Sequence, residues 1–161
     1  MDLIAVRGKA SPALPSRPSG ADSVASLLVD TGFLVALYRR NDELHQSALK
    51  FLQTNRERLI TVSPVIVEAC HFLAIEARMH LLQWITREGL MVVEIPQAVY
   101  SKLAALMQKY RNLDCDLADV ALLWLAAESR QRRILTVDKR DFSTYRLPDR
   151  RRLQLVDWMS E

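Results

Sequence analysis

The chain has 161 residues and a mass of 18.4 kDa, with half of its residues hydrophobic and a quarter charged. This length allows one buried core and is too short for two full domains, and the composition excludes fibrous and disordered proteins. The 22 Lys and Arg residues exceed the 19 Asp and Glu residues by three, which permits an anionic partner without requiring one.

The cysteine content and the length of the apolar stretches indicate the cellular compartment of the protein. Cys70 and Cys115 are too few for a disulfide framework, and their spacing does not resemble a zinc site. No apolar stretch is long enough to cross a bilayer, and the first residues lack the apolar core of a signal peptide. We therefore expect a cytoplasmic protein that is neither secreted nor bound to a membrane.

The predicted elements alternate along the chain. Residues 1–25, rich in Pro, Ser and Ala, are interpreted as a flexible leader or extension outside the fold. Apolar runs predict strands at LLV, LITVSP, LMVVEIP, RILTVD and, as a possible fifth, LQLVDW. Helical spacing predicts helices in NDELHQSALKFLQTN, PVIVEACHFLAIEA, QAVYSKLAALMQKYR and DLADVALLWLAAESR, the second of them with Ser63 as N-cap and Pro64 at its first position.

Short, nearly continuous apolar strands between helices predict an α/β fold with three layers, in which helices cover both faces of a parallel sheet of four to five strands. Ligands of such sheets bind at the carboxyl ends of the strands. Asp30 directly follows LLV, and Asp138 directly follows ILTV. Both carboxylates are therefore expected at the edge where this fold places its site.

Each acidic residue of interest, taken alone, has a purely structural explanation. Asp30 can cap a helix, Glu68 can lie on an exposed helix edge, and Asp138 can form a turn. Asp116 and Asp119 can be the N-cap and the acidic first turn of their helix. Asp141 and Asp149 have basic neighbours in the sequence, so we interpret them as surface ion pairs outside any site.

Taken together, the acids predict a metal site. A parallel sheet can bring Asp30, Glu68, Asp119 and Asp138 to one end, where their charges would repel unless divalent cations neutralised them. Ligands that are all oxygens indicate Mg²⁺ or Mn²⁺ rather than zinc. Basic residues gather at 130–133 and 139–152, which suggests a basic rim around acidic chemistry, although a solvated surface explains such runs equally well.

The segments LLVDTGFLVAL, SPVIVEACHFL, DLADVALLWLAAE and ILTVDKRDFSTYR, in this order and spacing, resemble the PIN-domain ribonucleases, especially the VapC-type toxins of bacterial toxin-antitoxin pairs. The resemblance covers Leu27 to about Trp158, so residues 26–161 are taken as the nuclease domain. It implies an Mg²⁺- or Mn²⁺-dependent endoribonuclease that forms homodimers and is inhibited by a cognate antitoxin. The family's acids fall on Asp30, Glu68, Asp119 and Asp138, with Asp116 as a further acid of the metal site.

A hydrolytic mechanism follows as a hypothesis from this resemblance. The acids hold one or two metal ions that activate water and stabilise the leaving oxygen. The hydroxyl groups of Thr31 and Thr136 are expected to hydrogen-bond the metal ligands and hold them in position. Basic residues around the site hold the RNA backbone by charge, and we assign this role to Arg39, Arg40, Lys139 and Arg140.

Three other interpretations are open at this point. The triplet Asp30-Thr31-Gly32 also matches an aspartic protease, whose fold is all β. Glu68 and His71 form an E-x-x-H pattern of di-iron bundles, but the sequence has no second copy. The main alternative is a PIN-like module that binds RNA or a protein partner without significant cleavage, for which mutually repelling carboxylates have no evident purpose.

Overall fold

A computed structural model describes residues 25–160 of the chain. The leader predicted over residues 1–25 therefore lies outside the described residues apart from Ala25. Along the described part of the chain, no helix combines the length and the apolar character that crossing a membrane requires.

A central parallel sheet confirms the predicted three-layer α/β architecture. Its strands are Ser26–Val29 (β1), Arg58–Val62 (β2), Met91–Val93 (β3), Arg133–Leu135 (β4) and Gln154–Leu155 (β5). Their order across the sheet is β3-β2-β1-β4-β5, and every neighbouring pair runs parallel. The possible fifth strand is present, and β1 lies at the centre of the sheet.

Helices flank this sheet on both sides. Within residues 25–160 the α-helices are Thr31–Tyr38 (α1), His45–Thr54 (α2), Ser63–Phe72 (α3), Ile75–Thr86 (α4), Tyr100–Lys109 (α5), Leu117–Ser129 (α6) and Lys139–Thr144 (α7). Short 3₁₀ turns at Gln97–Val99 and Arg111–Leu113 precede and follow α5. The helices α1, α4 and α7 were not predicted as separate elements, although Asp30 was expected to be able to cap a helix.

The position of β1 in the core explains why its sequence does not alternate between apolar and polar residues. Leu27, Leu28 and Val29 are all fully buried, because helices cover both faces of the central strand. Helix α6 is buried along most of its length, which accounts for its nearly continuous apolar sequence. On α1, Phe33 is fully buried and its ring meets the ring of Trp158 edge-on at a centroid distance of 4.9 Å.

The single helix predicted over residues 64–77 is wrong, since the chain breaks there into α3 and α4. Leu73 and Ala74 adopt extended backbone conformations between the two helices. Burial of Leu73, which is 3% exposed, favours this turn, and Arg78 Nε donates a hydrogen bond of 2.7 Å to the Leu73 carbonyl. The predicted N-cap is also displaced by one residue, because Val62 occupies that position and Ser63 lies inside the first turn.

The carboxyl ends of the central strands are tied together by hydrogen bonds. The amide of Asp30 donates to the Leu135 carbonyl at 3.0 Å, which extends the pairing of β1 and β4 by one residue. The Thr61 hydroxyl of β2 donates to the Val29 carbonyl at 2.7 Å. These bonds fix the backbone of Asp30 at the sheet edge, beside Thr136 and the start of α3.

Candidate active site

An acidic cleft of about 580 Å³ opens at the carboxyl ends of the strands. It is lined by Asp30, Thr31, Gly32, Val35, Asp42, Leu44, Glu68, Phe72, Asp114, Asp116, Asp119, Val137, Asp138 and Asp141. Eight of these residues are carboxylic acids, whereas none of the described residues in the lining is Lys, Arg or His. The cleft therefore concentrates negative charge without a basic side chain in its wall.

Asp30 is the most deeply placed acid of the cleft, with 7% of its surface exposed. One carboxylate oxygen accepts the Thr31 amide at 2.7 Å, which makes Asp30 the N-cap of α1, as its structural explanation predicted. The other oxygen accepts the Thr136 hydroxyl at 2.7 Å. Burial raises the pKa of Asp30 to about 6, although both hydrogen bonds lower it and the charges of Glu68 and Asp116 raise it further.

Glu68 reaches the cleft from α3, one turn after the helix begins at Ser63. Its carboxylate accepts a hydrogen bond from the Thr31 hydroxyl. Burial is the main cause that raises the pKa of Glu68; the charge of Asp116 adds to it and the bond from Thr31 opposes it. Thr31 therefore bonds both acids, Asp30 through its amide and Glu68 through its hydroxyl.

Asp116 and Asp119 form a capping box at the start of α6, which confirms their structural explanation. The Asp119 amide donates to Asp116 at 2.9 Å, and the Asp116 amide donates to Asp119 at 3.4 Å. The Tyr145 hydroxyl also donates to Asp119 at 3.2 Å. Burial, followed by the charges of Asp116 and Asp30, raises the pKa of Asp119 to about 7. Both acids face the cleft while they cap the helix.

Asp138 and Thr136 connect the end of β4 to the cleft. Asp138 caps α7 by accepting the Asp141 amide at 3.0 Å, and its own amide donates to the Thr136 hydroxyl at 3.0 Å. That hydroxyl is buried and donates in turn to Asp30. Behind it, the indole Nε1 of Trp158 donates to the Thr136 carbonyl at 3.2 Å.

Gly32 permits a close contact between α1 and the loop after β4. A Cβ atom at this position would lie 2.3 Å from Cγ2 and 3.2 Å from Cβ of Val137. Such distances are shorter than van der Waals contact, so any larger residue would displace Val137. The glycine in the sequence Asp30-Thr31-Gly32 therefore brings the first turn of α1 against the segment that carries Thr136 and Asp138.

A comparison with known protein families identifies the family to which this domain belongs. The family profile described as PIN domain matches residues 27–147. The chain belongs to the PIN-domain family. The match spans every acid of the cleft, from Asp30 to Asp141, and confirms the family resemblance seen in the sequence motifs.

Known relatives agree with this assignment. Over 125 residues, the PIN domain is 26% identical to Ribonuclease VapC26 of Mycobacterium tuberculosis (strain ATCC 25618 / H37Rv), covering 74% of this chain and 92% of the relative. Its fold is similar to the crystal structure of Mycobacterium tuberculosis VapC20, a sarcin-ricin loop cleaving toxin, with a TM-score of 0.63 and 14% identity. That similarity covers 67% of this chain and 86% of VapC20.

The cleft of the PIN domain contains every acid selected from the sequence, namely Asp30, Glu68, Asp116, Asp119 and Asp138. It also contains three acids that the sequence analysis did not select, namely Asp42, Asp114 and Asp141. The sequence carried a usable signal for one of them, since Asp138 and Asp141 are three residues apart, as are Asp116 and Asp119. Asp141 lines the cleft and forms no salt bridge within residues 25–160, so its interpretation as a surface ion pair is wrong.

The basic residues assigned to RNA lie outside the lining of the cleft. Arg39 Nη2 donates to the carbonyl of Phe72, a lining residue, at 2.6 Å. Lys139 Nζ lies 3.8 Å from Asp157, and Arg40 and Arg140 are exposed. The stretch 130–133 is not part of a basic rim, since it leads into the amino end of β4, opposite the acids.

The donor set of the cleft fits a hard divalent cation, because its charged groups are all carboxylates. Among residues 25–160, no three acidic, His or Cys side chains already stand in an arrangement that could hold a metal ion.

The fold also excludes two of the other interpretations of the sequence. An aspartic protease would require an all-β fold, and His71 of the E-x-x-H pattern is exposed and meets the ring of Phe72.

Proposed function

We propose that this PIN domain is a Mg²⁺- or Mn²⁺-dependent endoribonuclease and the toxin of a toxin-antitoxin pair. The observation that carries the proposal is the cleft in which seven carboxylic acids accompany the buried Asp30 with no basic residue in the described lining. Carboxylates in such a place need either protons or divalent cations. The activity named for the relative VapC26 supports an enzyme that acts on RNA.

In this proposal Asp30, Glu68 and Asp119 are the principal metal ligands, joined by Asp116 and Asp138. A bound divalent ion supplies activation of water and stabilisation of the charge that develops on the phosphate. Thr136 and Thr31 hold the carboxylates of Asp30 and Glu68 in fixed orientations through their hydroxyl groups. The capping box holds Asp116 and Asp119 at the start of α6.

The RNA backbone is held next to the cleft by Arg39, Arg40, Lys139 and Arg140. Lys139 and Arg140 directly follow Asp138, which lines the cleft, and both are exposed. Arg39 bonds the carbonyl of Phe72 at the cleft wall. Because no basic side chain lines the described cleft itself, cations beside it would attract phosphates without neutralising the acids.

The proposal includes two protein partners, an antitoxin and a second copy of this chain. Helices α3 and α4 support at least one such interface, because they leave large apolar side chains in solvent. The exposed fractions are 71% for Val67, 51% for Phe72, 59% for Ile75, 54% for Met79 and 51% for Leu82.

Cleavage of a structured RNA mixture by the purified full chain tests the enzyme. We expect cuts with Mn²⁺, none with EDTA and none with Asp30→Asn. Asparagine keeps the size of the side chain and one carbonyl acceptor, and the Thr136 hydroxyl can rotate to accept from its amide. The variant therefore retains the helix cap while it loses the charge that would bind the metal.

Glu94→Gln is the matched control, because Glu94 is an exposed acid that follows β3 and does not line the cleft. This control should cut as the wild type does, and circular dichroism should show that all three proteins are folded. Cleavage that persists in EDTA or in Asp30→Asn contradicts the proposed role of the carboxylates.

The alternative is a PIN-like module that binds RNA or a partner without significant cleavage. The exposed apolar side chains of α3 and α4 favour this alternative, because they offer a surface to a protein partner. Thermal unfolding separates the two, since a ligand that binds only the folded protein raises its melting temperature with concentration. We expect Mn²⁺ to raise it for the wild type and not for Asp30→Asn; no rise in either protein favours the module.

A further inference from the structure

Arginines cluster at the end of the sheet opposite the acidic cleft. Arg58 at the start of β2 pairs in register with Ser26 at the start of β1, and Arg133 begins β4. Arg133 pairs with Gln154, the first residue of β5. We call the seven arginines at this end the arginine face: Arg58, Arg130, Arg132, Arg133, Arg150, Arg151 and Arg152.

The arginine face is separated from the acids by the length of the sheet. Parallel strands all begin at the same edge, and a strand rises about 3.3 Å per residue, so Ser26 and Asp30 are separated by about 13 Å. Phosphates bound at this face would therefore lie on another side of the molecule from a phosphate in the cleft. A single RNA would have to extend around the domain to reach both.

A groove of about 800 Å³ lies within this face, between the end of α6 and the turn before β5. Arg130, Arg132 and Arg151 line it together with two acids, Glu128 and Asp149. Both acids have basic partners: Glu128 lies 3.8 Å from Lys102, and Asp149 lies 3.5 Å from Arg151. Among the described residues, Arg130 and Arg132 form no salt bridge, so their charges remain available to an external anion.

Two residues of the arginine face have a backbone conformation that suits a test by substitution. Arg130 has a φ of 60° and Arg150 a φ of 64°, both in the left-handed region. Glycine is the favoured residue there, because a Cβ atom crowds the backbone in this conformation. Glycine substitutions at these two positions can therefore remove guanidinium groups without straining the backbone.

We propose that the arginine face binds the phosphate backbone of RNA that extends beyond the segment in the cleft. Planar guanidinium groups match phosphate oxygens in paired hydrogen bonds, and several of them on one face can contact successive phosphates of a nucleic acid. This inference depends on the proposed function in one respect: the proposed function identifies the bound polyanion as RNA. It predicts that a structured RNA long enough to reach the face binds more tightly than a short oligonucleotide that fills the cleft.

The double variant Arg130→Gly/Arg150→Gly tests the proposal without endangering the fold. It removes two positive charges and gives both left-handed positions the residue they favour, so its melting temperature should equal or exceed that of the wild type. Fluorescence anisotropy measures binding of a structured RNA hairpin in EDTA, where no cleavage takes place. We expect the double variant to bind the hairpin more weakly. The slope of log Kd against log salt concentration should fall by about 0.7 to 0.9 for each lost phosphate contact, which is about 1.5 for two contacts.

Two further variants serve as controls. Glu88→Gly makes the same backbone change at a φ of 61° without removing a cation, and Lys50→Gln removes an exposed cation from α2. Neither should weaken the binding of the hairpin. Unchanged affinity and salt slope in the double variant overturn the proposal, and so does equal weakening by Lys50→Gln, which would reveal a nonspecific effect of net charge.

The outcome is independent of whether the protein cuts RNA. A protein that fails the cleavage test, yet binds the hairpin less tightly in the double variant, supports the arginine face and refutes the nuclease. A protein that cuts RNA and binds it equally well in both forms supports the nuclease and refutes the arginine face.

Discussion

At the scale of single residues, Thr136 connects Asp30, Asp138 and Trp158 through hydrogen bonds. Its hydroxyl donates to Asp30 and accepts from the Asp138 amide, while its carbonyl accepts from the indole of Trp158. A buried carboxylate keeps its charge more easily when such a donor is present, since the bond from Thr136 lowers the pKa of Asp30. The charge of Asp30 thus depends on a neighbour that does not line the cleft.

Replacing Thr136 should therefore weaken metal binding. Thr136→Val keeps the shape of the side chain and removes the hydroxyl that bonds Asp30. Loss of a hydrogen bond to a metal ligand lowers the affinity for the metal by about 10- to 100-fold. Isothermal titration calorimetry with Mn²⁺ measures the change, and Thr136→Ser should restore most of the affinity. Thr61→Val is the control, because its buried hydroxyl bonds the Val29 carbonyl and no acid. Equal affinity in Thr136→Val and the wild type would refute this role.

The raised pKa values predict an unusual dependence of stability on pH. Asp30 and Asp119 have pKa values of about 6 and about 7 in the folded state, above their ordinary value of 3.8. The folded protein therefore holds protons that the unfolded chain releases, and in EDTA its stability should rise as the pH falls from 8 to 5. Asp30 alone contributes about 1 kcal/mol over this range.

Calorimetric melting curves in EDTA at pH 8 and pH 5 measure this effect. Asp30→Asn removes one titrating group, so its melting temperature should change less between the two pH values. A wild-type protein that melts at a higher temperature at pH 8 than at pH 5 would show that these acids do not resist ionisation in the folded state.

At the scale of elements, the contact between α1 and the loop after β4 predicts an effect of Gly32. Gly32→Ala places a methyl group against Val137, which should push aside the segment that carries Thr136 and Asp138. Overpacking of this kind costs about 1 to 3 kcal/mol. We expect a lower melting temperature and weaker Mn²⁺ binding, both partly restored in Gly32→Ala/Val137→Ala. Failure of the second substitution to restore either quantity would place the cause elsewhere.

The elements also show where sequence patterns were sufficient. Near-continuous apolar runs identified the central strands because β1 and β4 are covered on both faces, and the acid spacing in α6 predicted its cap. The break between α3 and α4 was missed, since it depends on the burial of Leu73, a tertiary effect without Gly or Pro to mark it. Asp30 and Asp138 followed from strand ends, whereas Asp42 and Asp114 lie in connections that no periodic pattern describes.

At the scale of the whole molecule, the arginine face lies at the end of the sheet opposite the acidic cleft, whereas Lys139 and Arg140 lie beside the cleft. The sequence suggested a basic rim around the acids, but segments adjacent along the chain lie far apart once a strand separates them. Arg133 begins β4 at the edge away from the cleft, and Asp138 follows the end of the same strand. Linear clustering of charge therefore predicted the composition of the surface and not its arrangement.

The exposed apolar side chains of α3 and α4 predict self-association. Val67→Ser/Ile75→Ser reduces apolar surface that is 71% and 59% exposed, so the isolated fold should keep its stability. Light scattering coupled to gel filtration should give twice the chain mass of 18.4 kDa for the wild type and a lower mass for the variant. Met107→Ser, at a 37% exposed position on α5, is the control and should behave as the wild type. A monomeric wild type would refute the dimer.

The bond from Trp158 to the Thr136 carbonyl has a consequence for biosynthesis. Trp158 is buried against Phe33 and follows β5, so the support behind Asp30 is assembled from segments more than 120 residues apart in the chain. A nascent chain that still lacks residue 158 has all the acids of the cleft but lacks this bond to the Thr136 carbonyl. The support behind Asp30 is therefore completed only after almost the whole described domain has been synthesised.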